Sequence, residues 1–153
     1  MTDNSQVKVL IQDDDNVETL WAERVGPDRY RLDNSPFFAY GVSWQDIIEA
    51  RPADDGMLTF VRVVEKAGHR TVRVILDPGA DRSLESQAVL DGLVALGASY
   101  EGANPRYLAI DIPPKVALDS IVEYLVASGC QWEYGDPRYS DLFPEEQGEG
   151  RLA

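Results

Sequence analysis

One histidine and one cysteine stand among 153 residues, so the chain's acid–base chemistry rests on very few side chains. His69 could act as a general acid or base near neutral pH if a carboxylate held its ring. The nearest dense supply of partners is "RYRLDNSPFFAYGVSWQDII", Arg29 to Ile48. It offers the acids Asp33 and Asp46, the amide of Asn34, and the rings of Tyr40 and Trp44. With His69 these six form the candidate binding set, and His69 is the catalytic candidate. Each has a plainer structural reading. Asp33 and Asn34 can shape an Asx turn. Ser43 and Asp46 are spaced as a capping box, or Asp46 opens a strand after a tight turn. His69 follows Gly68, where a turn histidine facing solvent bonds a nearby carbonyl. The stretch therefore reads more as a corner of the fold than as a ligand site.

Other chemistries find no support. No Ser-His-Asp or Cys-His order is readable, and Cys130 reads as an inert thiol at the start of a strand. "DDD", Asp13 to Asp15, lacks the spaced oxygens and the glycine bend of a calcium loop and reads as a solvated turn. No glycine falls in a phosphate-cradling pattern. No metal and no cofactor are expected.

Fourteen Lys and Arg against 27 Asp and Glu give a formal net charge of -13. Such a surface repels phosphate backbones and anionic lipid, so neither nucleic acid nor membrane is an expected partner. A basic protein is. No apolar run approaches the roughly 20 residues that span a bilayer. "MTDNSQ" lacks the basic and apolar segments of a signal peptide, which makes the cytoplasm the expected compartment.

The elements that must position these residues change period midway. "VKVLIQ", "ETLWAERV" and "RYRLD" read as strands, and Pro36 stops the third. "DIIEAR" and "MLTFVRVVEK" flank the turn "PADDG" as a hairpin. "EKAGHR" turns into "TVRVIL", Thr71 to Leu76, as a second hairpin. Ser83 is the expected N-cap of a helix over Leu84–Leu96, ended by Gly97. Strands "ASY" and "RYLAIDI" follow. Pro113 and Pro114 open a helix through Ser128, and "CQWEY" is the last strand. The expected fold is α+β: residues 1–68 form a small curved antiparallel sheet or barrel. Residues 69–140 form a ferredoxin-like βαββαβ unit that shares the strand "TVRVIL" with it. Residues 141–153 form a frayed acidic tail.

Several spaced segments, "ETLWAERVGPDRYRLDNSPFFAYGVSWQDII", "GHRTVRVIL", "LVALGASYEG", "YLAIDIP" and "WEYGDP", resemble a bacterial family catalogued as domain of unknown function 4265. The resemblance runs from about Glu18 to about Asp136. The "DNxPF" element is kept as Asp33, Asn34, Pro36 and Phe37. Gln45-Asp46-Ile47-Ile48 stands for "GDVV" without its glycine, and Ala67-Gly68-His69 for "SGH" without its serine. The family implies no activity, cofactor or catalytic residue.

Three functions are open. A non-enzymatic binding or regulatory module, such as an immunity-like neutraliser of a basic protein, is favoured because the acid–base inventory is thin. A small hydrolase or isomerase would use His69 with an acidic partner. A small-molecule sensor follows only from fold analogy. The chain is expected to act as a monomer or a homodimer, since an edge strand can be left open.

Overall fold

A computed structural model describes residues 6–13, 15–76, 84–104 and 106–146. The Ser83 cap, Asp14 and the tail beyond residue 146 lie outside them.

Alternating apolar residues build the first half. Strands β1 (Gln6–Asp13), β2 (Asn16–Gly26), β3 (Arg29–Leu32), β4 (Ile47–Pro52) and β5 (Leu58–Glu65) pair in chain order. β1 then meets β5 in parallel at Leu10 and Thr59, which closes a five-stranded barrel. Val9, Ile11, Leu20, Ala22, Tyr30, Leu32, Ile48 and Ala50 fill it from one face of each strand. Among the described residues closure gives each of the five strands a neighbour on both sides.

The second half is built on β6 (Arg70–Ile75), α1 (Leu84–Ala95), β7 (Ser99–Asn104), β8 (Tyr107–Ile112), α2 (Leu118–Ser128) and β9 (Gln131–Asp136). Its sheet has the order β7-β8-β6-β9, all antiparallel. Val72, Val74, Leu108, Ile110 and Ile112 meet Leu90, Leu93, Ile121 and Leu125 of the two long helices in a separate core.

Three expectations need correction. β6 is not shared: it pairs with β8 and β9 of the second sheet, while β5 closes onto β1. "EKAGHR" is a linker between two sheets, not a hairpin turn. Pro113 and Pro114 do not open α2, which begins at Leu118 behind the extended Ala117. The Arg70 guanidinium takes the carbonyls of Pro113 and Val116, which holds this segment as a turn. Among the described residues, helical structure continues past Asp141 as far as Glu146. Tyr139–Leu142 is a short helix, α3, and Pro144–Glu146 a 3-10 turn.

Candidate functional site

Strand alternation leaves the second sheet with a face turned away from its helices. Glu101, Ala109, Asp111, Thr71, Arg73 and Glu133 share it, as the pairings Glu101–Ala109, Thr71–Asp111 and Arg73–Glu133 require. A face this polar cannot be buried without partners. The corner between β3 and β4, residues 33–46, supplies them.

Each side of the corner is held by charged groups reaching for its backbone. On the barrel side, the Glu18 carboxylate accepts the amides of Phe37, Phe38 and Ala39 at 2.8–3.0 Å. Asp13 accepts the amide of Tyr40 at 2.9 Å. On the sheet side, fully buried Arg73 donates to the carbonyls of Pro36 (3.1 Å) and Ala39 (2.9 Å), and its Nε to Glu133 (2.9 Å). Tyr107 donates its hydroxyl to the Phe37 carbonyl. Proline explains part of this. Pro36 has no N–H, and the segment makes no ladder of its own, so its free carbonyls and amides need side-chain partners.

The six candidates all lie on this seam. Tyr40 donates its hydroxyl to Glu133 at 2.8 Å while its ring faces the Arg73 guanidinium at 4.7 Å. Burial and then Glu133 push its phenol up from the ordinary range, against Arg73. Asn34 accepts the Trp21 amide at 2.8 Å and donates to Glu101 at 3.4 Å. The expected Asx turn at Asn34 does not form, because two residues on stands Pro36 with no N–H to give. Asp46 is fully buried and accepts from the amides of Ser43 and Ala67 and from the Lys66 ammonium. Lys66 reaches Asp136 too, which also takes the Ser43 hydroxyl. Burial opposes the Lys66 charge, but the pairs with Asp136 and Asp46 outweigh it and raise the ammonium above its ordinary value. The Ser43–Asp46 bond is half of the capping box, yet the chain enters β4 and not a helix.

Asp33, Trp44 and His69 form a line. Gln6 donates to Asp33, the Trp44 indole donates to Asp33 at 3.1 Å, and the Trp44 ring stands edge-on to His69 at 5.1 Å. His69 Nδ1 lies 2.9 Å from the Asp111 carboxylate. The histidine side chain is only 15% exposed, so it is not the wet turn residue that the sequence suggests. Burial pushes the Asp111 carboxyl up, and His69 pulls it back. Glu101, half-buried beside them, is raised by burial, partly offset by Ser35 and Asn34, with Asp111 and Asp33 adding to the rise.

Glu101 carries a testable pH dependence. A carboxyl whose folded pKa is raised binds its proton more tightly in the folded state. Its contribution is full below the unfolded pKa and is lost as pH rises through the folded one. Wild type is therefore expected to lose ground against Glu101→Gln as pH rises from about 4, the ordinary glutamate value. Paired thermal melts across that range check it, and a constant difference would remove the effect.

Sequence reading missed Glu18, Lys66, Arg73, Glu101, Asp111, Glu133 and Asp136. One signal was present: Arg73 and Thr71 sit at alternate positions in an otherwise apolar strand. A polar stripe in a buried strand asks for something to cover it. Among the described residues no three His, Cys, Asp or Glu side chains are grouped as metal ligands would be.

A concavity of about 860 Å³ is lined in part by Tyr40 and runs along β9 to α3. Its lining includes Trp132, Glu133, Tyr134, Tyr139 and Phe143.

A family model described as a domain of unknown function (DUF4265) matches residues 18–134 and so spans all six candidates. A solved structure described as a hypothetical protein from Neisseria gonorrhoeae is similar, with a TM-score of 0.66 and 16% identity over 88% of this chain and 96% of that one. At that identity the likeness shows the fold alone. No curated protein matches the chain.

Proposed function

We propose, for a chain that belongs to the DUF4265 family over residues 18–134, a non-enzymatic protein-binding module whose partner is basic, in the manner of an immunity-like neutraliser. The observation that supports this reading is the engagement of the candidate residues. Asn34, Tyr40 and His69 bond partners on the barrel or the sheet, Asp46 bonds Lys66, and Asp33 bonds Trp44 within the corner, which leaves the acidic surface as the feature open to function. A net charge of -13 favours a cationic partner and speeds its encounter. The second half fits a ferredoxin-like split βαβ unit, as its βαββαβ chain order and its strand order support. The place of work proposed is the cytoplasm; among the described residues no helix is long and apolar enough to cross a membrane.

Capture from a bacterial lysate on the immobilised full chain, followed by titration of the purified captured protein, tests the reading. A basic partner whose affinity falls steeply between low and high salt is expected. Absence of capture at every ionic strength, or a complex indifferent to salt, would sink it.

One observation favours a second reading, acid–base catalysis: the 2.9 Å pairing of His69 with Asp111. In that case His69→Gln and Asp111→Asn would each abolish a turnover that the purified chain possesses. The binding reading expects no such turnover to lose.

A further inference from the structure

The concavity along β9 touches Trp132, Glu133 and Tyr134, three successive residues of one strand. Successive side chains point to opposite faces of a sheet. Trp132 and Tyr134 pack toward the helix-side core, while Glu133 faces the seam. A hollow that meets all three must run beside the strand rather than over either face. β9 is the outer strand of its sheet and, among the described residues, pairs with β6 alone. The Gly41 amide bonds the Gly135 carbonyl and so ties down the C-terminal end. Gln131 to Tyr134 remain as an unmatched edge.

Edges of this kind are usually blunted by charge, proline or cover, because they template another strand. Here the flanks are aromatic. Trp132 and Tyr134 stand edge to face at 4.9 Å, and Tyr139 and Phe143 of the α3 turn complete a wall beside Tyr134. Asp13 and Glu133 add carboxylates, and the Glu133 side chain is 42% exposed despite its bond to Arg73. Among the described residues Arg138 is the one cation of the lining. It lies against Gly41, where an added Cβ would come within 3.3 Å of its Nε, and marks that end of the groove as the one closed to positive charge.

We propose that the β9 groove binds an extended, Lys- or Arg-bearing segment of a protein partner, added to the sheet edge as a further strand. Main-chain hydrogen bonds to Gln131–Tyr134 supply pairing, and alternate side chains fall toward the groove. A cationic side chain on the seam side meets the Asp13 and Glu133 carboxylates, while the alternate apolar side chains meet the rings of Trp132, Tyr134 and Phe143. The volume, about 860 Å³, lies in the range that encloses a few side chains. This deepens the basic-partner reading and rests on it.

Amide chemical-shift mapping on the full chain tests the proposal. The probe is a blocked hexapeptide alternating lysine and valine, with its glutamate–valine counterpart as control. Shifts confined to Gln131–Asp136 and Tyr139–Phe143, with affinity at least about tenfold lower for the control, are expected. Phe143→Ala, at an exposed ring, and Asp13→Asn should each weaken the lysine peptide, the former by about tenfold. Shifts centred elsewhere, equal binding of both peptides, or a homodimer built on β9 would overturn it. If the captured partner binds while the β9 amides stay unmoved, the groove assignment falls and the binding reading stands. If neither partner nor peptide binds, both fall.

Discussion

Replacing Arg73 with methionine is expected to cost about 3–5 kcal/mol of stability, the range for removing one member of a buried charged network. The stem would be kept, and the losses would be polar. The carbonyls of Pro36 and Ala39 would lose their donor, and Tyr40 would lose the cation against its ring. Each buried acceptor left unpaired costs about 1–3 kcal/mol. The Glu133 bond contributes less, because that carboxylate is 42% exposed and water can replace the guanidinium. At about 2–4 °C per kcal/mol for a chain of this size, the melting temperature should fall by roughly 6–20 °C. Arg73→Lys should recover only part, since an ammonium cannot present a planar fork to three acceptors. Gly135 gives a reason for the fit: a Cβ there would stand 3.2 Å from the guanidinium. A methionine variant within 1 kcal/mol of wild type in urea unfolding would mean that this arginine does not hold the corner.

Asp46→Ala is the second large effect, again about 3–5 kcal/mol. The site is fully buried, and the carboxylate serves two amides, of Ser43 and Ala67, as well as Lys66. Removing it strands both amides and leaves the ammonium with Asp136. Asp46→Asn should be milder, because one oxygen still accepts. The same variant separates structure from recognition. A structural Asp46 lowers stability and leaves partner affinity at temperatures well below the melt unchanged. A recognition residue would lower affinity in proportion and stability hardly at all.

Local pattern carried much of the fold. Alternation in "RYRL" and "TVRVI", and helical spacing of Leu90 and Leu93, fall close to the strands and helix that form. The strand choice at "DIIEAR" held against the capping-box alternative because β4 pairs along β5 from Ile47. Non-local events were less legible. Whether β5 feeds β6 or returns to β1 depends on a barrel closing at Leu10 and Thr59, residues far apart in sequence. Tyr40 and Trp44 are candidates for exposed rings with core packing the favoured reading, and both are half-buried, while Trp21 and Phe38 are the more exposed at 44% and 39%. Phe38 stacks on Tyr107, and Lys8 lies over Trp21. The corner was recognised as a corner from its proline and turn formers. Its partners were invisible because Glu18, Arg73, Glu101 and Glu133 come from four separate strands.

Native-state hydrogen exchange on the free chain tests most directly whether "RYRLDNSPFFAYGVSWQDII" is the joint between barrel and sheet. The amides of Phe37, Phe38, Ala39, Tyr40 and Ser43 all donate to carboxylates of the seam. Protection of these amides approaching that of β6, unchanged by the basic hexapeptide, is the expected result. Rapid exchange in the free chain, with protection gained only when a ligand is added, would contradict it and return the corner to the role of a binding loop.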